Sequence, residues 1–210
     1  MSQDINCRFC QLSQCEVPIV ERSIGIAIPS FGALVEGWLL VVPRRHTVSL
    51  ADLTIQERVE FCRLVEQAEK LVASNYEHCV MFEHGPARQG RKAGCGVDHA
   101  HLHIVPINMM LHKAVTTDED GHDLQWRPAA QPWDAEIDHS VGFDYLFVRE
   151  ADGMGWVAAT PAAPSQLFRR AIAKHLGYAV WDWKQDFHYE IVSSTYKRLL
   201  NTRASFANAE

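Results

Sequence analysis

The segment Asp98-His99-Ala100-His101-Leu102-His103-Ile104-Val105-Pro106 constrains this chain more than any other stretch. Alternating imidazole and apolar side chains predict a β-strand, because successive side chains leave a strand on opposite faces. His99, His101 and His103 then share one face, while Ala100, Leu102 and Ile104 point to the core. The strand is expected over 97–105. Near neutral pH, imidazoles aligned in this way can act as nucleophiles when neutral and hold phosphate oxygens when protonated. His-x-His on a strand also suits a structural or catalytic zinc ion, and a satisfied set of core histidines is the plain structural alternative.

The rest of the chain narrows the classes open to it. Hydrophobic residues make up 47% and charged residues 22%, enough for a real globular core. A net charge of -6 argues against broad, non-specific nucleic-acid binding, which needs many phosphates neutralised. It leaves room for a local basic pocket holding one small phosphate ester. No apolar run approaches the roughly 20 residues that span a bilayer. The opening MSQDINCRFC lacks the basic, apolar and small-residue segments of a signal peptide, so a cytoplasmic protein without a membrane partner is expected. In that setting the six cysteines are free thiols or metal ligands rather than a disulfide framework.

Apolar runs punctuated by turn residues predict strands at 24–28, 33–35, 38–42, 80–82, 144–149 and 155–160. A helix is expected over 54–73, opened by a Thr54-x-x-Glu57 capping box and burying Ile55, Val59, Cys62, Val65 and Val72. Residues 111–140 are expected to form an irregular connection. A further helix opens with Ser165 as N-cap, presents Phe168, Ile172 and Leu176 on one face, and stops at Gly177. Another spans 187–200, with Trp181 and Trp183 docking these two helices rather than stacking on a base.

The triad, followed by Pro106, resembles the signature of the histidine-triad (HIT) superfamily of nucleotide hydrolases and transferases. Gly37-Trp38-Leu39-Leu40-Val41-Val42-Pro43-Arg44-Arg45-His46 is similar to the family's glycine-strand-proline-basic-histidine segment. Phe82-Glu83-His84-Gly85 stands where the family passes from a strand into the phosphate-side loop. The resemblance covers about 7–106 and implies an α+β fold, a HIT-like antiparallel sheet with the 54–73 helix packed on it. It divides the chain into a catalytic domain at 1–110 and a C-terminal extension at 111–210 packed on it. It implies a homodimer and a small-molecule nucleotide substrate.

The same resemblance makes His101 the nucleophile toward an α-phosphorus, forming a nucleotidyl-histidine, with His99 and His103 orienting it and contacting phosphate oxygens. Backbone N–H groups at Gly94, Cys95 and Gly96 are candidates to cradle the phosphate, and Arg91 to contact it. Two departures matter. Many dinucleoside polyphosphate hydrolases carry Gln or Ser in the turn before the triad, where this chain has Gly94-Cys95-Gly96; the usual Asn before the loop glycine is replaced by Glu83-His84. Cys7 and Cys10, with His46 and His99, make a candidate structural zinc set similar to that of some family members. Hydrolysis is the leading expectation, transfer to phosphate or a sugar phosphate the second, and a nucleotide-binding module with little catalysis the third.

Overall fold

The computed structural model describes residues 7–15, 17–91, 94 and 96–207. In chain order the elements are α1 (Arg8–Cys15), β1 (Val20–Arg22), β2 (Gly25–Pro29), β3 (Leu39–Pro43), α2 (Ile55–Ala73), β4 (Val80–Gly85) and β5 (Leu102–Val105). They continue with α3 (Leu111–Thr116), β6 (Arg127–Pro128), α4 (Glu136–Ser140), β7 (Asp144–Arg149), β8 (Gly155–Thr160), α5 (Leu167–Leu176) and α6 (Tyr189–Ala207). The strands form one sheet in the order β1-β2-β3-β5-β4-β7-β8-β6, every neighbouring pair antiparallel. Strands from both sides of residue 110 therefore share a single sheet, joined where Met81 to Gly85 of β4 pair with Arg149 to Tyr145 of β7. The fold is α+β. Among the described residues, no helix is long and apolar enough to cross a membrane.

Strand alternation sorts the core into two layers. Leu39, Val41, Leu102, Ile104, Met81 and Phe147 pack on the side of α2, which buries Phe61, Leu64, Val65, Ala68, Leu71 and Val72. Spacings of three and four residues from Phe61 onward give one continuous helical stripe. Each fully buried Leu or Phe of this kind contributes about 1.5–3 kcal/mol relative to exposure. Of the expected stripe, Val65 and Val72 are buried, whereas Ile55 and Val59 in the first turns are 78% and 50% exposed. Periodicity marked the helix, and its contact with the sheet selected the face.

On the opposite side, Phe82, Val105, Leu146 and Val148 pack against Leu167, Phe168 and Ile172 of α5 and Leu111 and Val115 of α3. At the β2–β3 end, Ile26, Ile28, Leu40 and Val42 carry Cys7, Phe9 and Cys10. The last helix, α6, reaches back to the residues beside the first strands. Gly37, at φ 89°, donates its N–H to Thr195 Oγ1 at 2.9 Å, and Arg203 donates to the Ile19 carbonyl at 2.9 Å.

Several local expectations change. Residues 33–35 form a turn, not a strand. The triad strand begins only at Leu102, so His99 and His101 precede it in a loop. Residues 111–140 contain α3, α4 and the short β6. Ser165 does not cap α5: Gln166 occupies the cap position in the left-handed region, at φ 53°, without a side-chain cap bond. The Ser165 hydroxyl instead donates to the Gly94 carbonyl at 2.9 Å.

Candidate active site

His103 lies on β5, paired with Leu40 of β3 on one side and Phe82 of β4 on the other. The Phe82 ring stacks on its imidazole at 4.2 Å and 14°. Trp38 Nε1 donates to His103 Nδ1 at 3.0 Å. An indole nitrogen can only donate, so Nδ1 carries the lone pair and the neutral ring bears its proton on Nε2. Burial, with the neighbouring His101 and Arg169 charges, holds His103 well below the ordinary imidazole range. It is a neutral donor.

His101 has the opposite tautomer. Its Nδ1–H donates to the His99 carbonyl at 2.7 Å, which places the lone pair on Nε2. The two rings are 4.9 Å apart. Both line a cleft of about 380 Å³ with Phe9, Phe31, Leu40 and Trp183 among its walls. Arg8 and Arg169 also reach it.

His99 points elsewhere. Its Nε2–H donates to the Pro43 carbonyl at 2.8 Å, turning Nδ1 toward Cys7 Sγ at 3.4 Å and Cys10 Sγ at 3.6 Å. Cys10 Sγ is also 3.5 Å from His46 Nδ1. The ligand atoms of Cys7, Cys10, His46 and His99 all lie within 4.8 Å of one another. Ordinary Zn–S and Zn–N bonds at a tetrahedral angle place sulfur and nitrogen ligands about 3.6 Å apart. The cluster can bind a metal, and it takes only one member of the triad. The expectation that all three imidazoles share a face therefore holds for His101 and His103 in the cleft, while His99 turns to the cysteines. Burial lowers the His99 pKa to about 4, keeping it a neutral ligand.

The loop candidates separate. Gly94 is buried, its carbonyl accepting from Gln166 N and Ser165 Oγ, both at 2.9 Å. Gly96 is exposed at φ 78°. Cys95 lies outside the described residues. Arg91 is engaged by Asp144 at 3.0 Å and by the Pro161 carbonyl, away from the histidine cleft. His84, packed 4.8 Å from Phe168 and beneath Gly94, was not a candidate from sequence. Burial pushes its pKa down to about 3, and its Nε2 has no hydrogen-bond partner among the described residues. Arg169, near the start of α5, is buried, stands 4.6 Å over Trp38 and donates to the Gly32 carbonyl. Trp183 was expected to dock helices and instead walls the cleft. No local pattern marks these residues, since their roles arise from contacts between distant segments: His84 with Phe168, Arg169 with Trp38, and Trp183 with the His101 cleft.

Residues 25–110 match the HIT domain family. The chain is 25% identical over 105 residues to the adenosine 5'-monophosphoramidase of Schizosaccharomyces pombe, covering 49% of this chain and 74% of that protein. It is likewise 25% identical over 109 residues to the adenosine 5'-monophosphoramidase of Saccharomyces cerevisiae, covering 49% and 63%. A HIT-family protein of Bacillus subtilis of known crystal structure aligns over 48% of this chain and 72% of its own, with 21% identity and a TM-score of 0.41.

Proposed function

We propose, from the premise that this chain is a histidine-triad superfamily protein, that it hydrolyses nucleotide conjugates at the α-phosphorus with His101 as nucleophile. The observation that carries the reading is the tautomer of His101, fixed by its bond to the His99 carbonyl. Nε2 uses its lone pair to form a bond to phosphorus. The bond from phosphorus to the leaving group breaks, and its electron pair departs with that group. Water then attacks the nucleotidyl-histidine, loses its proton to solvent, and returns the P–N pair to Nε2 as the nucleoside monophosphate leaves.

His103 complements this step. Its Nε2–H, set by the bond from Trp38, is a donor for a phosphoryl oxygen that gains charge in the transition state. His99 acts through its own carbonyl, which orients His101, while its ring joins the cysteines. The relatives named as adenosine 5'-monophosphoramidases support a hydrolase that can cleave a P–N bond.

Zinc is the proposed occupant of the Cys7–Cys10–His46–His99 cluster, as a closed structural ion. It would fasten the α1 segment to the loop that carries His101, and it supplies no step of the reaction.

The test is a chromatographic product assay with adenosine 5'-monophosphoramidate and diadenosine triphosphate, with and without orthophosphate. Release of AMP by the wild type, lowered at least about a thousandfold in His101→Ala, is the expected result. Turnover that survives the substitution would overturn the nucleophile. Phosphate-dependent release of ADP from the monophosphoramidate would move the enzyme to the transferases.

A further inference from the structure

The segment Asp182–Lys184 comes from far outside the triad region, yet it stands beside both the cleft and the loop before the triad. Trp183 lines the cleft that holds His101 and His103. Lys184 Nζ lies 6.0 Å from the Trp183 ring, and a β-carbon placed on Gly96 would meet it at 3.3 Å. Its ammonium therefore sits directly over the glycine turn, five residues before His101. Arg8 approaches the same indole from α1, with Cζ 5.8 Å from the Trp183 ring.

This placement is built by a hydrogen-bond chain. The Gln166 backbone N–H donates to the Gly94 carbonyl at 2.9 Å, and its side-chain amide donates to Asp182 Oδ1 at 3.0 Å. The same Asp182 oxygen accepts from the Lys184 backbone N–H at 3.1 Å. Gln166 thus ties the glycine turn to the lysine turn through three bonds, while itself held at φ 53°, a strained conformation for a residue with a side chain. Strain of that kind persists where surrounding contacts over-determine a geometry.

We propose that Lys184 is a specificity-determining residue that selects substrates whose leaving group is itself a phosphate: phosphoanhydrides, such as nucleoside polyphosphates, in preference to phosphoramidates. The proposal rests on the hydrolase reading above. When a phosphoanhydride is split, the bond from the α-phosphorus to the bridging oxygen breaks and its electron pair stays on that oxygen. The departing phosphate gains negative charge, and the Lys184 ammonium over Gly96 meets it. An amine leaving a phosphoramidate takes up a proton from solvent as it takes the P–N electron pair and departs neutral, so the ammonium gives it no comparable help.

The test compares the wild type with Lys184→Gln and Lys184→Arg; the side chain is exposed, so the fold should be unaffected. Calorimetric titration with AMP and with adenosine 5'-tetraphosphate should show the tetraphosphate weakened about tenfold by Lys184→Gln, as expected for loss of one charge-assisted contact. Binding of AMP should be unchanged, and Lys184→Arg should restore the loss. In turnover, kcat/KM for diadenosine triphosphate should fall by a similar factor, with adenosine 5'-monophosphoramidate within about twofold of wild type. Equal losses on both ligand classes, or none, would overturn the proposal. A wild type that turns over neither substrate would overturn the hydrolase reading alone, since the calorimetric comparison still decides the role of Lys184.

Discussion

Two imidazoles two positions apart in this chain hold their protons on different nitrogens, because one faces a backbone carbonyl and the other an indole N–H. An imidazole has no intrinsic preference strong enough to do this. A second buried group is set in the same way. Glu83 is fully buried; it accepts from Tyr145 Oη at 2.6 Å and from Leu50 N at 2.9 Å, and burial raises its pKa from 4.5 to about 7. Because the folded pKa is the higher one, the unfolded chain ionises first as pH rises. Stability is then fully present below about pH 4.5 and falls by roughly 3 kcal/mol by pH 7, the equivalent of the shift. Glu83→Gln should remove that slope, so that the gap between wild type and variant in denaturant unfolding changes between pH 4.5 and 7. A gap that stays constant over this range would contradict the assignment.

At the scale of elements, α2 shows what a local rule can carry. Both halves of its capping box are formed, with Glu57 N donating to Thr54 Oγ1 at 3.3 Å and Thr54 N to Glu57 Oε2 at 2.8 Å. Thr54→Ala should cost about 1 kcal/mol in urea unfolding; a loss below a few tenths would mean that the Arg45–Glu57 ion pair holds the helix end unaided. All the residues of that cap lie within one turn, so the sequence displays it. The start of α3 has no such signal: Glu150, the residue after β7, accepts from Leu111 N and His112 N, both at 2.9 Å. A cap supplied across 38 positions leaves no mark near the helix, and 111–140 therefore looked irregular. Ser165 shows the reverse case, since its composition suits a cap but the Gly94 carbonyl takes its hydroxyl.

Over the whole molecule, the triad, the His46 segment and the cysteine pair were legible because their chemistry is concentrated in short motifs. Trp183 and Arg169 were not, because only the folded chain brings them to the cleft, and it likewise sets Lys184 over Gly96. The cysteine cluster joins three separate segments, 7–10, 46 and 99, so its occupancy bears on global stability. The protein should be isolated with about one zinc per chain, as a closed four-ligand site requires. Chelation should lower its Tm, and Cys10→Ser should carry no stoichiometric zinc. A Tm unmoved by chelation of zinc-loaded protein would sink the structural role.

The Gly94 carbonyl, which accepts from Ser165 and Gln166, has a consequence for synthesis. A ribosome makes the three histidines long before the residues that fasten the turn preceding them, and chains acquire structure from the N-terminus as they emerge. A growing chain would display its histidines while the wall contributed by Trp183 was still untranslated. The cleft around His101 and His103 is therefore walled only once the segment that carries Trp183 has been made and has folded back.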